Sequence, residues 1–207
     1  MTTEKVFILF AQRRSWKFLM LTVIGIFYTN MIQGGEVTKA SVDYHQGHFT
    51  LHANMVIRAP INQVRAVLTN FENLPKINSG IKAVQILKQV DDEPIRMHIA
   101  SEVCILFICQ DYHWIQDAHI LPSGDIMTHI EPSLSDFQEG WVRYRFRAEK
   151  QHTRLLMDAE LVPDFWFPPI VGTFLIKRKL QNEALETALG VEQLAKRRAN
   201  LLAAGQP

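Results

Sequence analysis

The chain has 207 residues, 47% hydrophobic and 21% charged, a balance that excludes a disordered or fibrous polypeptide and suffices for a core without staples. Its 22 Lys and Arg against 21 Asp and Glu leave a formal charge of +1, which argues against a nucleic-acid partner, since such domains carry a broad basic excess. That charge is uneven: residues 1–35 carry +3, from Lys5, Arg13, Arg14 and Lys17 against Glu4, and residues 36–207 carry −2.

The leader comes first in chain order. No charge occurs from Phe18 to Gly35, and the densest apolar part, Phe18–Tyr28, spans 11 residues behind Arg13-Arg14-Ser15-Trp16-Lys17. A basic start, an apolar stretch of this length and a small-residue exit at Gly34-Gly35 or Thr38-Lys39-Ala40 form the pattern of a bacterial-type export signal. The expected location is therefore the periplasm or the exterior. Left uncleaved, the same stretch would anchor the chain in the inner membrane, although a span needs about 20 apolar residues and Thr29, Asn30 and Gln33 weaken its far end. Residues 1–35 are thus read as signal peptide or membrane anchor, and residues 36–207, which hold no linker or repeat, as one domain.

In the body, His48–Ala59 alternates Phe49, Leu51, Ala53, Met55 and Ile57 with Thr50, His52, Asn54 and Arg58, the pattern of a half-buried strand. Pro60 suits a first helical turn, and Val64, Val67 and Leu68 at i, i+3 and i+4 predict a short helix ending near Asn70. A further turn through Phe71 and Leu74 is broken at Asn78-Ser79-Gly80. Turn residues then delimit strands at Ile81–Val90, Ile95–Leu106, Cys109–Leu121, Asp125–Glu131, Gly140–Glu149 and Thr153–Val162. In the last pair, Arg143, Arg145 and Arg147 are expected on a solvated face, pairing across strands with Asp158 and Glu160. Residues Pro168 to Ala204 read as one helix, its seam being Leu180, Ala184, Ala188, Val191 and Ala195. Glu183, Glu186 and Glu192 with Lys177, Lys179 and Lys196 are expected on its solvated side. Lys196-Arg197-Arg198 matches the dipole at a helix C-terminus and also suits an anionic membrane, which leaves peripheral membrane association open. The architecture predicted is α+β: a curved antiparallel sheet, two short helices after the first strand, and a long closing helix.

Cys104 and Cys109 are disulfide candidates if the chain is exported, and otherwise two small apolar strand residues; their spacing is no zinc signature. The eight histidines show no metal-ligand spacing. Asp111, His113, Asp117 and His119 alternate on one strand face expected to meet solvent, and Glu102 shares the outward register of Arg96 and His98. No nucleophile elbow, phosphate loop or dinucleotide fingerprint occurs, so no catalytic residue, metal or cofactor is assigned.

Three stretches carry a resemblance: Val56–Leu87, with its strand, Ala-Pro turn, helix and Phe-x-x-x-Pro; Ser135–Phe146, with a Phe-x-x-Gly turn; and Val162–Ala195, with a Pro-rich lead into the last helix. Together they resemble the helix-grip superfamily of START lipid-transfer domains, polyketide cyclase/dehydrase-like proteins and coenzyme Q-binding proteins. The resemblance implies a cavity between the sheet and the long helix, lined by Met97, Ile99, Tyr112, Trp114, Tyr144, Phe146, Leu155 and Met157, with Phe71 or Leu74 at the rim and Phe174 from the helix. An apolar pocket with Tyr and Trp tips suits a lipid, quinone or polyketide. The function expected is an exported, non-enzymatic carrier of a hydrophobic small molecule. Its alternative is a cyclase or dehydratase in which Tyr112, Tyr144 or an inward histidine polarises a carbonyl.

Overall fold

The structure is a computed structural model, and it describes residues 36–105, 108–167 and 171–204. The leader, with the export signal or anchor read from it, and the Pro168-Pro169 lead into the last helix lie outside the described residues. Eight antiparallel strands form one sheet: β1 (Glu36–His45), β2 (His48–Ile57), β3 (Ile81–Lys88), β4 (Ile95–Ile105), β5 (Ile108–Ile120), β6 (Ile126–Glu131), β7 (Phe137–Glu149) and β8 (His152–Pro163). Their order across the sheet is β1-β2-β8-β7-β6-β5-β4-β3. Between β2 and β3 lie helix α1 (Ile61–Leu68), a 3-10 turn (Phe71–Asn73) and helix α2 (Leu74–Ile77); helix α3 (Val171–Ala203) closes the chain.

The predicted α+β plan is correct, with one strand added. Segment Glu36–His45 stays mostly exposed, and its alternation is short, confined to Ala40, Val42 and Tyr44 against Ser41, Asp43 and His45. It pairs with β2 because Gln46 and Gly47 both adopt positive φ, 48° and 94°, closing a two-residue hairpin turn. Register shifts in β1, β3 and β7 bend the sheet, and its concave face carries the apolar positions of every strand.

Buried on α1 are Val64, Val67 and Leu68, the positions expected from their spacing. On α3 the seam Ala184, Ala188, Val191 and Ala195 is buried, with Leu180 partly so. Small residues there let the helix come close to β1, β2, α1 and α2. The tightest approach is at Gly190, where a Cβ would stand 2.6 Å from both Cα and O of Ile77.

The acidic face of α3 is not simply solvated, as its charge pattern suggests. Glu192 is 1% exposed; its carboxylate accepts the Arg58 backbone N–H at 2.7 Å and is bonded by Lys196 Nζ at 2.5 Å. Glu186 accepts both the N–H and the hydroxyl of Ser79, at 3.0 and 2.8 Å. Two carboxylates thereby tie α3 to the ends of β2 and α2. Among the described residues, no helix is long and apolar enough to cross a membrane.

At an open helical position, replacing Gly by Ala stabilises by about 1 kcal/mol. Gly190→Ala is expected to have the opposite sign, costing about 1–3 kcal/mol because the obstacle is backbone. Urea denaturation measures it, and an unchanged or higher midpoint would contradict the packing described.

Candidate functional site

In a filled sheet-and-helix layer the innermost strands are the most buried. Here burial is uneven across the concave face. Met97, Ile99 and Leu155 are wholly buried in the core, whereas Val142 and Tyr144 on β7, Ala159 on β8 and Trp114 on β5 are only partly buried. Val142 lies opposite Ala159, and Tyr144 opposite Met157, so these partly buried positions adjoin one another on β7 and β8, bordered by the buried Ile126, Thr128 and Met157. Helix α3 comes closest to β1, β2, α1 and α2, and its Glu183 lies within electrostatic reach of Tyr144, so the candidate space lies between that residue and the helix.

The polar groups of this space come from opposite walls. Burial, and after it the Glu183 carboxylate on α3, push the Tyr144 phenol up to about 12. Burial also raises the Glu183 carboxyl above the usual range, against the Lys179 ammonium 2.7 Å away, which lowers it; Glu186 adds to the rise. Gly80 presses against this pair, and a Cβ there would meet Glu183 Oε1 at 3.4 Å and Lys179 Nζ at 3.5 Å. Tyr112 lies under an aromatic cover, 4.6 Å from the Phe165 ring and 6.0 Å from Phe137. Its phenol too is raised, by burial and then by Asp136.

Of the residues assigned from sequence to the lining, Met97, Ile99, Tyr112, Trp114, Tyr144, Phe146, Leu155 and Met157 all stand on the concave face. Phe71 is buried and Leu74 partly buried. Phe174 is a correction: it is 61% exposed, because on α3 it lies on the side opposite Gly172, Ile176 and Leu180. Glu183 was read as part of a solvated face; the signal that would have found it is its place one residue before Ala184, on the edge of the buried seam. Cys104 and Cys109 face each other across β4 and β5 and are joined by a disulfide.

The strand histidines take the outer face. His48 meets Glu160 at 2.5 Å, His52 meets Asp158 at 2.7 Å, and His98 stacks on His113 with centroids 5.5 Å apart. Arg145 bonds Asp158 at 2.6 Å as expected, but Glu160 is taken by His48 and the Trp141 indole. Arg96 holds Asp117 with two hydrogen bonds, which lower that carboxyl's pKa, and Glu102 pairs outward with Lys82 at 2.8 Å.

A family model described as polyketide cyclase / dehydrase and lipid transport matches residues 57–188. The chain belongs to this family. The match runs from the last residue of β2 to the middle of α3, and so includes both Tyr144 and Glu183. No curated protein matches. Among solved structures, Zhui aromatase/cyclase from Streptomyces sp. R1128 is 15% identical, with a TM-score of 0.61 over 77% of this chain and 99% of that one. A START superfamily protein from Mycobacterium smegmatis is 23% identical, with a TM-score of 0.54 over 72% and 99%. A STAR-related lipid transfer protein fragment from Xanthomonas axonopodis is 10% identical, with a TM-score of 0.58 over 79% and 99%. These likenesses are of fold. The family description joins cyclases and dehydrases with lipid transport, so the family's fold serves hydrophobic ligands.

The folded chain favours the neutral phenol of Tyr144, so its share of stability is full below about pH 10, the ordinary tyrosine value, and is lost as pH rises to about 12. Glu183→Gln removes the negative charge that adds to the shift. The tyrosinate absorbance step identified with Tyr144→Phe is expected to move to lower pH in that variant; an unmoved step would place Glu183 away from Tyr144.

Proposed function

We propose that this chain is an exported carrier or binding protein for a hydrophobic small molecule, held between the centre of the sheet and α3 with its polar end at Tyr144. The observation that carries the reading is the set Val142, Tyr144 and Ala159, adjoining inner-face positions near the centre of the sheet that stay only partly buried. A neutral phenol in an apolar space donates a hydrogen bond, which suits the carbonyl oxygen of a quinone, an ester or a polyketide. Export is supported by the leader's sequence and by the Cys104–Cys109 disulfide, a bond that belongs to oxidising compartments.

One observation favours a second reading, a cyclase or dehydratase. Tyr144 and Glu183 face one space, so a phenol that polarises a carbonyl stands near a carboxylate able to take the adjacent carbon's proton. Both readings place the same atoms of the ligand at the same two residues.

Protein expressed with its leader and analysed by native mass spectrometry is expected to carry a copurifying hydrophobic molecule. Ala159→Phe should abolish copurification by filling the space. Tyr144→Phe should weaken rebinding of the extracted molecule about 3–10-fold, the worth of one neutral hydrogen bond. A ligand whose mass changes on incubation, and stays unchanged with Glu183→Gln, favours the enzyme. No ligand in the wild type, or one retained unchanged by Ala159→Phe, would overturn the carrier.

A further inference from the structure

The β1–β2 turn, the ends of β6 and β8 and the start of β7 gather at one end of the sheet. Segment 164–167 continues from β8 at this end, where Asp164 N–H donates to Asp136 O. Its Phe165 and Phe167 turn inward, onto Tyr112 at 4.6 Å and Phe49 at 5.7 Å. Between them Trp166 is 82% exposed. On the first turn of α3, Val171 and Phe174 are exposed by 57% and 61%. Three large apolar side chains left this open within nine residues are not the scattered exposure of an ordinary surface.

One helical turn beyond Phe174 stand Lys177 and Arg178. Among the described residues no carboxylate is within ion-pair distance of either, whereas the adjoining Lys179 is held by Glu183. Asp136 and Asp164, on the crossing segments, are engaged with the His113 N–H at 2.6 Å and the Gln138 amide at 2.8 Å.

We propose that this end of the molecule docks on a lipid bilayer, with Trp166, Val171 and Phe174 at the boundary of headgroups and acyl chains and Lys177 and Arg178 against the phosphates. Trp belongs at that boundary because its ring is apolar and its N–H polar. Four residues of helix rise about 6 Å, which sets the two cations at headgroup depth when Phe174 reaches the acyl chains. A second copy fits less well: a two-fold contact through this patch would set Lys177 and Arg178 near their own equivalents. The docking surface adjoins the Phe165 cover over Tyr112, so a docked molecule turns that end of its interior toward lipid. The inference stands whatever the interior holds.

Because the leader is itself apolar, the test must report position along the chain. Hydrogen exchange of the full chain is followed by mass spectrometry with phosphatidylcholine vesicles, with and without one quarter phosphatidylglycerol. Exchange in peptides carrying Trp166 and Phe174 is expected to slow at least about fivefold on the mixed vesicles, and less on the neutral ones. Trp166→Ala/Phe174→Ala should remove that protection while the urea midpoint stays at wild type, both side chains being exposed. Lys177→Gln/Arg178→Gln should reduce it to the level seen on neutral vesicles. Protection confined to the leader, or appearing without lipid as protein concentration rises, would overturn the proposal; the second result would assign the patch to another copy of the chain.

Discussion

A buried carboxylate must find partners, and Glu192 finds them in one place. With 1% exposure it accepts the Arg58 N–H at the end of β2 and the Lys196 ammonium one turn along its own helix. Leaving that charge buried and unpaired would be strongly destabilising, so α3 has one acceptable seat. Around this point Ala184, Ala188, Gly190 and Ala195 bring the helix down onto its neighbours, to the limit set by Gly190 against Ile77.

With its C-terminal half seated in this way, α3 spans a sheet that curves away beneath it. Leu155, Met97 and Ile99 are fully buried on the concave face, whereas Val142, Tyr144 and Ala159 are only partly buried, and the proposed ligand space is the gap beside these three. Function on this fold is decided by what lines that gap, since carriers and cyclases share the same frame. The inner face here is mostly apolar, with the phenols of Tyr144 and Tyr112 and the Glu183 carboxyl all raised by burial, while the strand histidines and their carboxylate partners stand on the other side of the sheet.

Much of this was legible in the sequence where side-chain period and burial coincide. The alternation in β2, β7 and β8 assigned Tyr144 and Leu155 to the inner face, and the small seam of α3 predicted close approach. Legibility failed where a long-range partner decides the outcome. Segment Glu36–His45 alternates only over Ala40–His45, and its full ten residues are held as a strand by the hairpin with β2. Glu183 and Glu192 look like solvent-facing helix charges until Gly80 and Arg58 are seen beside them. The helix-grip resemblance implies an inward Phe174, but its position on the helix points it out. Which inner residues are packed floor and which are open wall was beyond the sequence, because both kinds share one face and one chemistry.

That division between filled and open interior is the central claim, and methyl-resolved NMR addresses it directly. When the full chain is titrated with an alkyl benzoquinone, the resonances of Val142, Ala159 and Leu180 should shift together and saturate, while those of Met55 and Leu155 stay still. Equal shifts across both sets, or shifts only at surface methyls, would contradict an open space at the centre of the sheet.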